Sequence, residues 1–226
     1  MACKTSPSKP STNYRKMAPI GTIYSYPNNP RVARALIAAK YNGFTVDLVD
    51  VELGKTNTTK EYTSKFGTEV PAFESVDGFH LTGANAIAQY IASAKPGSTL
   101  CGSSLKEAAL IQQWIALVDG ELAPAQAAWL FPLLGWTKED PQAKKKAIED
   151  TKRVLKAIND YLLSHTYLAG EFVTLADITV AVGLLNFYRM VFDAKFRAEF
   201  KNVNRWFNTV VHAPEFADVL GEVTFA

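Results

Sequence analysis

The part of this chain where residue types and spacing place the most chemistry runs from Val70 to Ala92. Val70-Pro71-Ala72-Phe73-Glu74-Ser75 reads as a strand, with proline at the start, where a strand tolerates it. Asp77-Gly78 marks a hairpin turn, and Phe79 to Thr82 the returning strand. Gly83-Ala84-Asn85-Ala86-Ile87 then opens a helix whose apolar stripe is Ala86, Ile87, Tyr90 and Ile91. Thr82 is the expected N-cap. Free backbone N–H groups at such a helix start form an anion site beside the strand. A cis Val70–Pro71 bond would hold the neighbouring backbone open to a ligand.

A second polar group, Tyr24-Ser25-Tyr26-Pro27-Asn28-Asn29-Pro30, sets hydroxyls and amides between a strand and a helix. The asparagines either shape the turn or present an amide to a ligand. Arg31 and Arg34 are set to meet an anion or to lie at an interface. Thr174-Leu175-Ala176-Asp177 is a capping-box pattern, which gives Asp177 a structural task. His80, His165 and His212 share no metal-ligand spacing, and Cys3 and Cys101 are far apart, so no metal is expected. There is no glycine-rich phosphate loop, which argues against a site for GTP.

The elements that must position these residues follow from the pattern. A strand is expected over Gly21–Tyr26, a helix from Pro30 to Asn42-Gly43, a strand over Phe44–Val51 and a short helix over Glu61–Phe66. With the Val70–Ala92 unit, this order implies a small mixed sheet covered by helices. After Pro96, Gly97 and Gly102 everything reads as helical: Leu105–Leu122, interrupted or kinked at Pro124, then Gln142–Leu163, an apolar helix after Thr174, and a last helix over Asn202–Val211 before Pro214. The expected division is a basic disordered tail over 1–18, a mixed domain over 19–95, a linker over 96–103 and an all-helical domain over 104–226.

Composition excludes several function classes. The chain is 48% hydrophobic and 20% charged with a net charge of +2, which fits a globule with a sizeable core and leaves no electrostatic footprint for direct nucleic-acid binding. No apolar run reaches the ~20 residues of a membrane span. Two isolated cysteines suit a reducing, cytoplasmic compartment. The basic run Lys144, Lys145, Lys146, Lys152, Arg153 and Lys156 reads as a solvated helix face. Trp114, Trp129, Phe131 and Trp136 read as core or as an apolar pocket between domains.

Together these motifs resemble the glutathione transferase superfamily. The ordered set Gly21-Thr-Ile-Tyr-Ser-Tyr-Pro27, Val70-Pro-Ala-Phe73, Asn85-Ala-Ile-Ala88, Thr174-Leu-Ala-Asp-Ile-Thr179, Asn204-Arg-Trp-Phe207 and Leu220-Gly-Glu-Val223 is similar to one branch of it, the gamma subunits of translation elongation factor 1. The resemblance implies a glutathione transferase fold, with an α/β thioredoxin-like N-terminal domain and an all-α C-terminal one. It implies a scaffold in translation elongation that holds the exchange-factor subunit of the elongation factor 1 complex, and a homodimer. It also implies chains that continue through a lysine-rich linker into a further domain, which would make this chain a fragment, a short form or a free-standing relative.

For chemistry, the resemblance implies glutathione as substrate or vestigial ligand. Asn28 and Tyr26 are then the expected thiolate-stabilising residues, and Asn29, Val70, Pro71, Thr82, Gly83 and Ala84 the glutathione-binding set. The branch departs here from active relatives, in which an acid and a serine at the helix start clamp the γ-glutamyl group. Gly83 and Ala84 supply neither side chain. Each lost bond to a charged group is worth about 1.5–3 kcal/mol, so binding should weaken on the order of 100-fold or more. Glu69, next to Val70, would repel an anionic peptide. An active transferase or peroxidase is the alternative.

Overall fold

The computed structural model describes Met17–Ala226; the expected basic tail lies, but for its last two residues, outside the described residues. The strand β1 (Ala18–Ser25) starts earlier than expected, because parallel pairing with β2 (Phe44–Asp50) reaches back to Ala18 opposite Phe44. β3 (Ala72–Ser75) pairs antiparallel with β1, and β4 (His80–Thr82) antiparallel with β3, giving the order β2-β1-β3-β4. The helix α1 (Ala33–Asn42) begins after turn bonds from Val32 N–H to Asn29 O and from Ala33 N–H to Pro30 O, and Gly43 ends it as expected.

α1 and α3 (Ala84–Ser93) pack on each other against one sheet face, burying Ile37, Ala38, Phe73, Ile87 and Ile91. On the other face α2 (Lys60–Phe66) closes a small second core of Val51, Tyr62, Phe66 and Ala72. Thr59 caps α2, its hydroxyl accepting from Tyr62 N–H at 3.3 Å.

The rest is helical: α4 (Leu105–Leu117), α5 (Ala123–Trp129), α6 (Pro141–Tyr161), α7 (Leu175–Met190), α8 (Ala194–Ala198), α9 (Lys201–Val211) and α10 (Pro214–Leu220). The expected break before Pro124 is a π-helical turn over Val118–Leu122. A proline cannot complete the α-ladder to the preceding turn, and the wider turn absorbs the missing bond. Pro214 opens α10 rather than only ending α9, since its fixed φ and absent N–H suit a first helical turn.

α7 is buried almost all round, from Leu175 to Leu185 and again at Phe187 and Tyr188, as its apolar sequence requires. It lies so close to the π turn that a Cβ on Gly183 would come 2.9 Å from Val118 Cγ1. The capping box forms, and Asp177 does more besides. Its Oδ2 accepts from Thr174 N–H (2.9 Å) and the Thr174 hydroxyl (3.0 Å), while Oδ1 accepts from Leu168 N–H (3.0 Å) and Trp206 Nε1–H (2.8 Å). Burial pushes the Asp177 carboxyl up from its ordinary value and the four donors oppose that shift.

Candidate functional site

The turn after β1 opens onto a cleft of about 430 Å³. Tyr26, Pro27 and Asn28 form its rim on one side, Leu48 and Asp50 of β2 on another. Leu185, Asn186 and Arg189 of α7 make the far wall with Val219 and Leu220, and Trp136 from the α5–α6 loop stands at the mouth. The structure separates the expected site residues. Tyr26, Asn28 and Asn29 line this cleft. Pro71 and Ala84 line, with Arg31, a shallow depression with no room for a water molecule, and Val70, Thr82 and Gly83 line neither. Ile23 and Val32 stand between the two.

Within the turn the two asparagines divide the alternatives left open by the sequence. Asn29 is buried and committed: its Nδ2 donates to Ser25 Oγ at 2.9 Å and its Oδ1 accepts from Arg31 N–H at 3.0 Å. It shapes the turn. Asn28 is exposed with φ 59°, a left-handed conformation asparagine tolerates better than most residues. Tyr24 points to the opposite sheet face, where its hydroxyl donates to Glu74 Oε2 at 3.1 Å. Lys65 (3.1 Å) and His80 (3.2 Å) reach the same carboxylate, and these bonds hold Glu74 below the ordinary carboxylate range, Lys65 contributing most.

At the second depression the Val70–Pro71 bond is cis, and Pro71 O accepts from Gly83 N–H at 3.2 Å, joining the start of β3 to the start of α3. Thr82 does not cap α3. It ends β4, and Gly83 takes the cap position at φ 86°, ψ 127°. That backbone is open to glycine and costly for a β-branched residue. The space around Gly83 is empty, so a side chain there would meet strain rather than a clash.

Arg34 is the residue whose role the sequence left widest. It is an interface residue. Only 8% exposed, it donates through NH1 to Asn85 Oδ1 on α3, and Asn85 Nδ2 donates to Asp119 on the π turn. Arg34 NH1 also stands 3.6 Å from Asp119 Oδ1. Burial pulls the guanidinium down from its ordinary value, and Asp119 opposes it. Asn85 is thus held by a bridge between the mixed sheet layer and the helical part.

The basic face of α6 is solvated and neutralised along most of its length: Lys144 with Glu139, Lys146 with Asp150, Lys152 with Glu199, Arg153 with Glu121 and Lys156 with Asp160. The tryptophans split between the two expectations. Trp114 and Trp129 are core, Trp114 donating to Leu168 O at 2.9 Å, whereas Trp136 is 65% exposed at the cleft mouth. Among the described residues no group of three or more His, Cys, Asp or Glu is placed to hold a metal ion, and no helix is long and apolar enough to cross a membrane.

Comparison with known proteins agrees with this geometry. The pattern described as "Glutathione S-transferase, N-terminal domain" matches residues 19–93, and "Glutathione S-transferase, C-terminal domain" matches 122–214. Human elongation factor 1-gamma is 43% identical over 208 residues, covering 90% of this chain and 47% of its own length. The chain thus spans about half the length of the curated relatives it matches. The crystal structure of the GST-like domain of elongation factor 1-gamma from Saccharomyces cerevisiae superposes with a TM-score of 0.79 at 26% identity, covering 92% of this chain and 95% of that one. A glutathione transferase from Phanerochaete chrysosporium, solved in complex with oxidised glutathione, shares the fold alone, with a TM-score of 0.78 at 18% identity over 88% of this chain and 94% of that one. With both halves of the fold matched in order along one chain, this protein belongs to the glutathione S-transferase family, and its relatives include elongation factor 1-gamma.

Proposed function

We propose that this chain is the transferase-like module of an elongation factor 1 complex, a cytoplasmic protein-binding scaffold that holds the guanine-nucleotide exchange subunit and pairs with a second copy of itself. The division into 19–95, a linker over 96–103 and 104–226 belongs to the same reading. The observation that carries it is the start of α3. The fold keeps the helix N-terminus beside Pro71, yet the clamp positions are Gly83 and Ala84, with Gly83 on backbone that resists a side chain. Glutathione is then at most a vestigial ligand of Val70, Pro71, Thr82, Gly83 and Ala84. The test is capture of the exchange subunit's N-terminal region by the purified chain. Capture at micromolar concentration supports the reading, and its absence overturns it.

The cleft beside Asn28 and Tyr26 favours a second reading, glutathione transfer with Asn28 as the donor to sulfur. That reading requires turnover of an electrophile that falls sharply in Asn28→Ala. Unchanged turnover removes Asn28 from the chemistry.

A further inference from the structure

α10 ends at Gly221, whose φ of 65° and ψ of −159° only glycine adopts without strain, and from there residues 222–226 run across α7 and α9 as a strap. The strap forms neither helix nor strand, yet it alternates: Val223 and Phe225 are half-buried against the core, while Glu222, Thr224 and Ala226 are exposed. The Phe225 ring lies on Tyr188 and Phe207, with ring centres 5.4 and 6.0 Å away. Ala226 N–H donates to Tyr188 O at 2.9 Å, and Ala226 O accepts from Arg197 Nη1 at 2.8 Å. The Arg197 guanidinium also stands 5.1 Å from the centre of the Phe225 ring. Extended peptides are recognised in this way, with main-chain hydrogen bonds for affinity and pockets for alternate side chains.

The surface under the strap is held by contacts that do not involve it. Tyr188 and Phe207 stack with ring centres 3.8 Å apart, and the Tyr188 hydroxyl donates to Asn204 Oδ1 at 2.7 Å. Arg197 is fixed by Phe192 O, to which it donates at 2.6 Å. Tyr188 O belongs to the last turn of α7, where carbonyls run out of intrahelical partners, and Phe192 N–H bonds to Phe187 O instead. The strap itself is lightly held, by two half-buried side chains and the two hydrogen bonds of Ala226. Segments with so few buried contacts open at free energies well below global unfolding. Arg189 donates to Leu220 O at 3.1 Å and fixes the chain up to Gly221, which leaves that glycine as the hinge.

We propose that this groove is a peptide-binding site which residues 222–226 occupy in cis. It takes in exchange an extended segment of a partner protein with two bulky apolar side chains two residues apart, the second an aromatic ring seated on Tyr188 and Phe207 beside Arg197. The strap displays the chemistry that the groove accepts, and it is the groove's own inhibitor. The inference does not depend on the scaffold reading, because none of Tyr188, Arg197, Phe207 and Phe225 lines the cleft or the depression at α3.

The first test uses the unaltered chain. Amide exchange of Ala226 should proceed through an opening that urea does not accelerate, at least about tenfold faster than exchange of Leu184 and Leu185 in α7. Exchange of Ala226 in step with α7, with the same urea dependence, would overturn the proposal by making the strap part of the cooperative core. Protection of Ala226 that grows with chain concentration would overturn it by seating the strap on a second copy. The second test titrates the peptide acetyl-Glu-Val-Thr-Phe-Ala-amide into the full chain and into Phe225→Ala, followed by NMR. The variant should show saturable shifts at Tyr188, Arg197 and Phe207 and bind at least about tenfold more tightly than the unaltered chain, where the tethered strap competes at an effective concentration of about millimolar. Acetyl-Glu-Val-Thr-Ala-Ala-amide should bind neither chain. Equal binding of the phenylalanine peptide to both chains, shifts mapped elsewhere, or no binding to the folded variant would each overturn the proposal. The exchange measurement needs no substitution and decides the matter even where the variant fails to fold.

Discussion

Asp177→Asn should be among the most damaging single-atom changes available to this protein. The side chain is fully buried, and its two oxygens share four donors, Leu168 N–H and Trp206 Nε1–H on one, Thr174 N–H and its hydroxyl on the other. An asparagine amide keeps one oxygen. Whichever way it turns, two donors lose their acceptor and face an N–H₂ group in a fully buried site. Each buried unsatisfied group costs about 1–3 kcal/mol, so the pair costs about 2–6 kcal/mol. That is a large part of a total stability of about 5–15 kcal/mol. For a chain of this size, 1 kcal/mol corresponds to about 2–4 °C in Tm, and a mid-range loss of about 4 kcal/mol to about 8–16 °C. Thermal and urea unfolding followed by tryptophan emission measures this, because Trp206 is one of the donors. A loss under about 1 kcal/mol with unaltered Trp206 emission would refute the reasoning, since it would mean that the site admits water or repacks at little cost.

Other outcomes follow from the same contacts. Asn29→Ala removes the partners of Ser25 and of Arg31 N–H and should cost about 1–3 kcal/mol in urea unfolding, whereas Asn28→Ala, at an exposed side chain, should stay within about 0.5 kcal/mol. Gly83→Glu with Ala84→Ser should lower stability by about 1–3 kcal/mol through strain at φ 86° while raising glutathione affinity in calorimetry; unchanged affinity would show that the clamp is not what is missing. Glu74 is held below its ordinary carboxylate value by Lys65, His80 and Tyr24, so its contribution to stability is present above the unfolded carboxylate range and lost as pH falls through the depressed folded value. Glu74→Gln should therefore lower Tm at neutral pH by more than in acid, and an equal shift at both would contradict the assignment. Asp119→Ala leaves Asn85 and the buried Arg34 without their acidic partner; because Asp119 is half exposed, the loss in urea unfolding should be about 1–3 kcal/mol, short of a fully buried pair.

Much of the fold was legible because it rests on short-range signals. Gly43 as a helix stop, Asp77-Gly78 as a turn, the capping box at Thr174 and the all-round apolar α7 each work within a few residues, and each stands as read. What was illegible depended on long-range pairing. Ala18 joins β1 because Phe44 lies opposite it, and Thr82 fails as a cap because the turn into α3 needs a backbone that Gly83 adopts. At the candidate site, the sequence named the segments but not how the structure divides them between the cleft and the start of α3. Only the three-dimensional arrangement shows Asn29 turned inward, Tyr24 on the far face with Glu74, and the cleft completed by Arg189 and Trp136 from the helical part. Arg34 carried one usable signal, a lone charge among Ala33, Ala35 and Leu36, but its partners Asn85 and Asp119 are far away in the chain.

The most direct test is a pair of calorimetric titrations on one preparation of the chain, first with the N-terminal region of the exchange subunit and then with glutathione up to millimolar concentration. A scaffold whose clamp is Gly83 and Ala84 should bind the protein fragment with a saturable heat and give no detectable heat with glutathione. Saturable glutathione binding with no heat from the fragment would contradict the account and return the chain to the enzymes of its family.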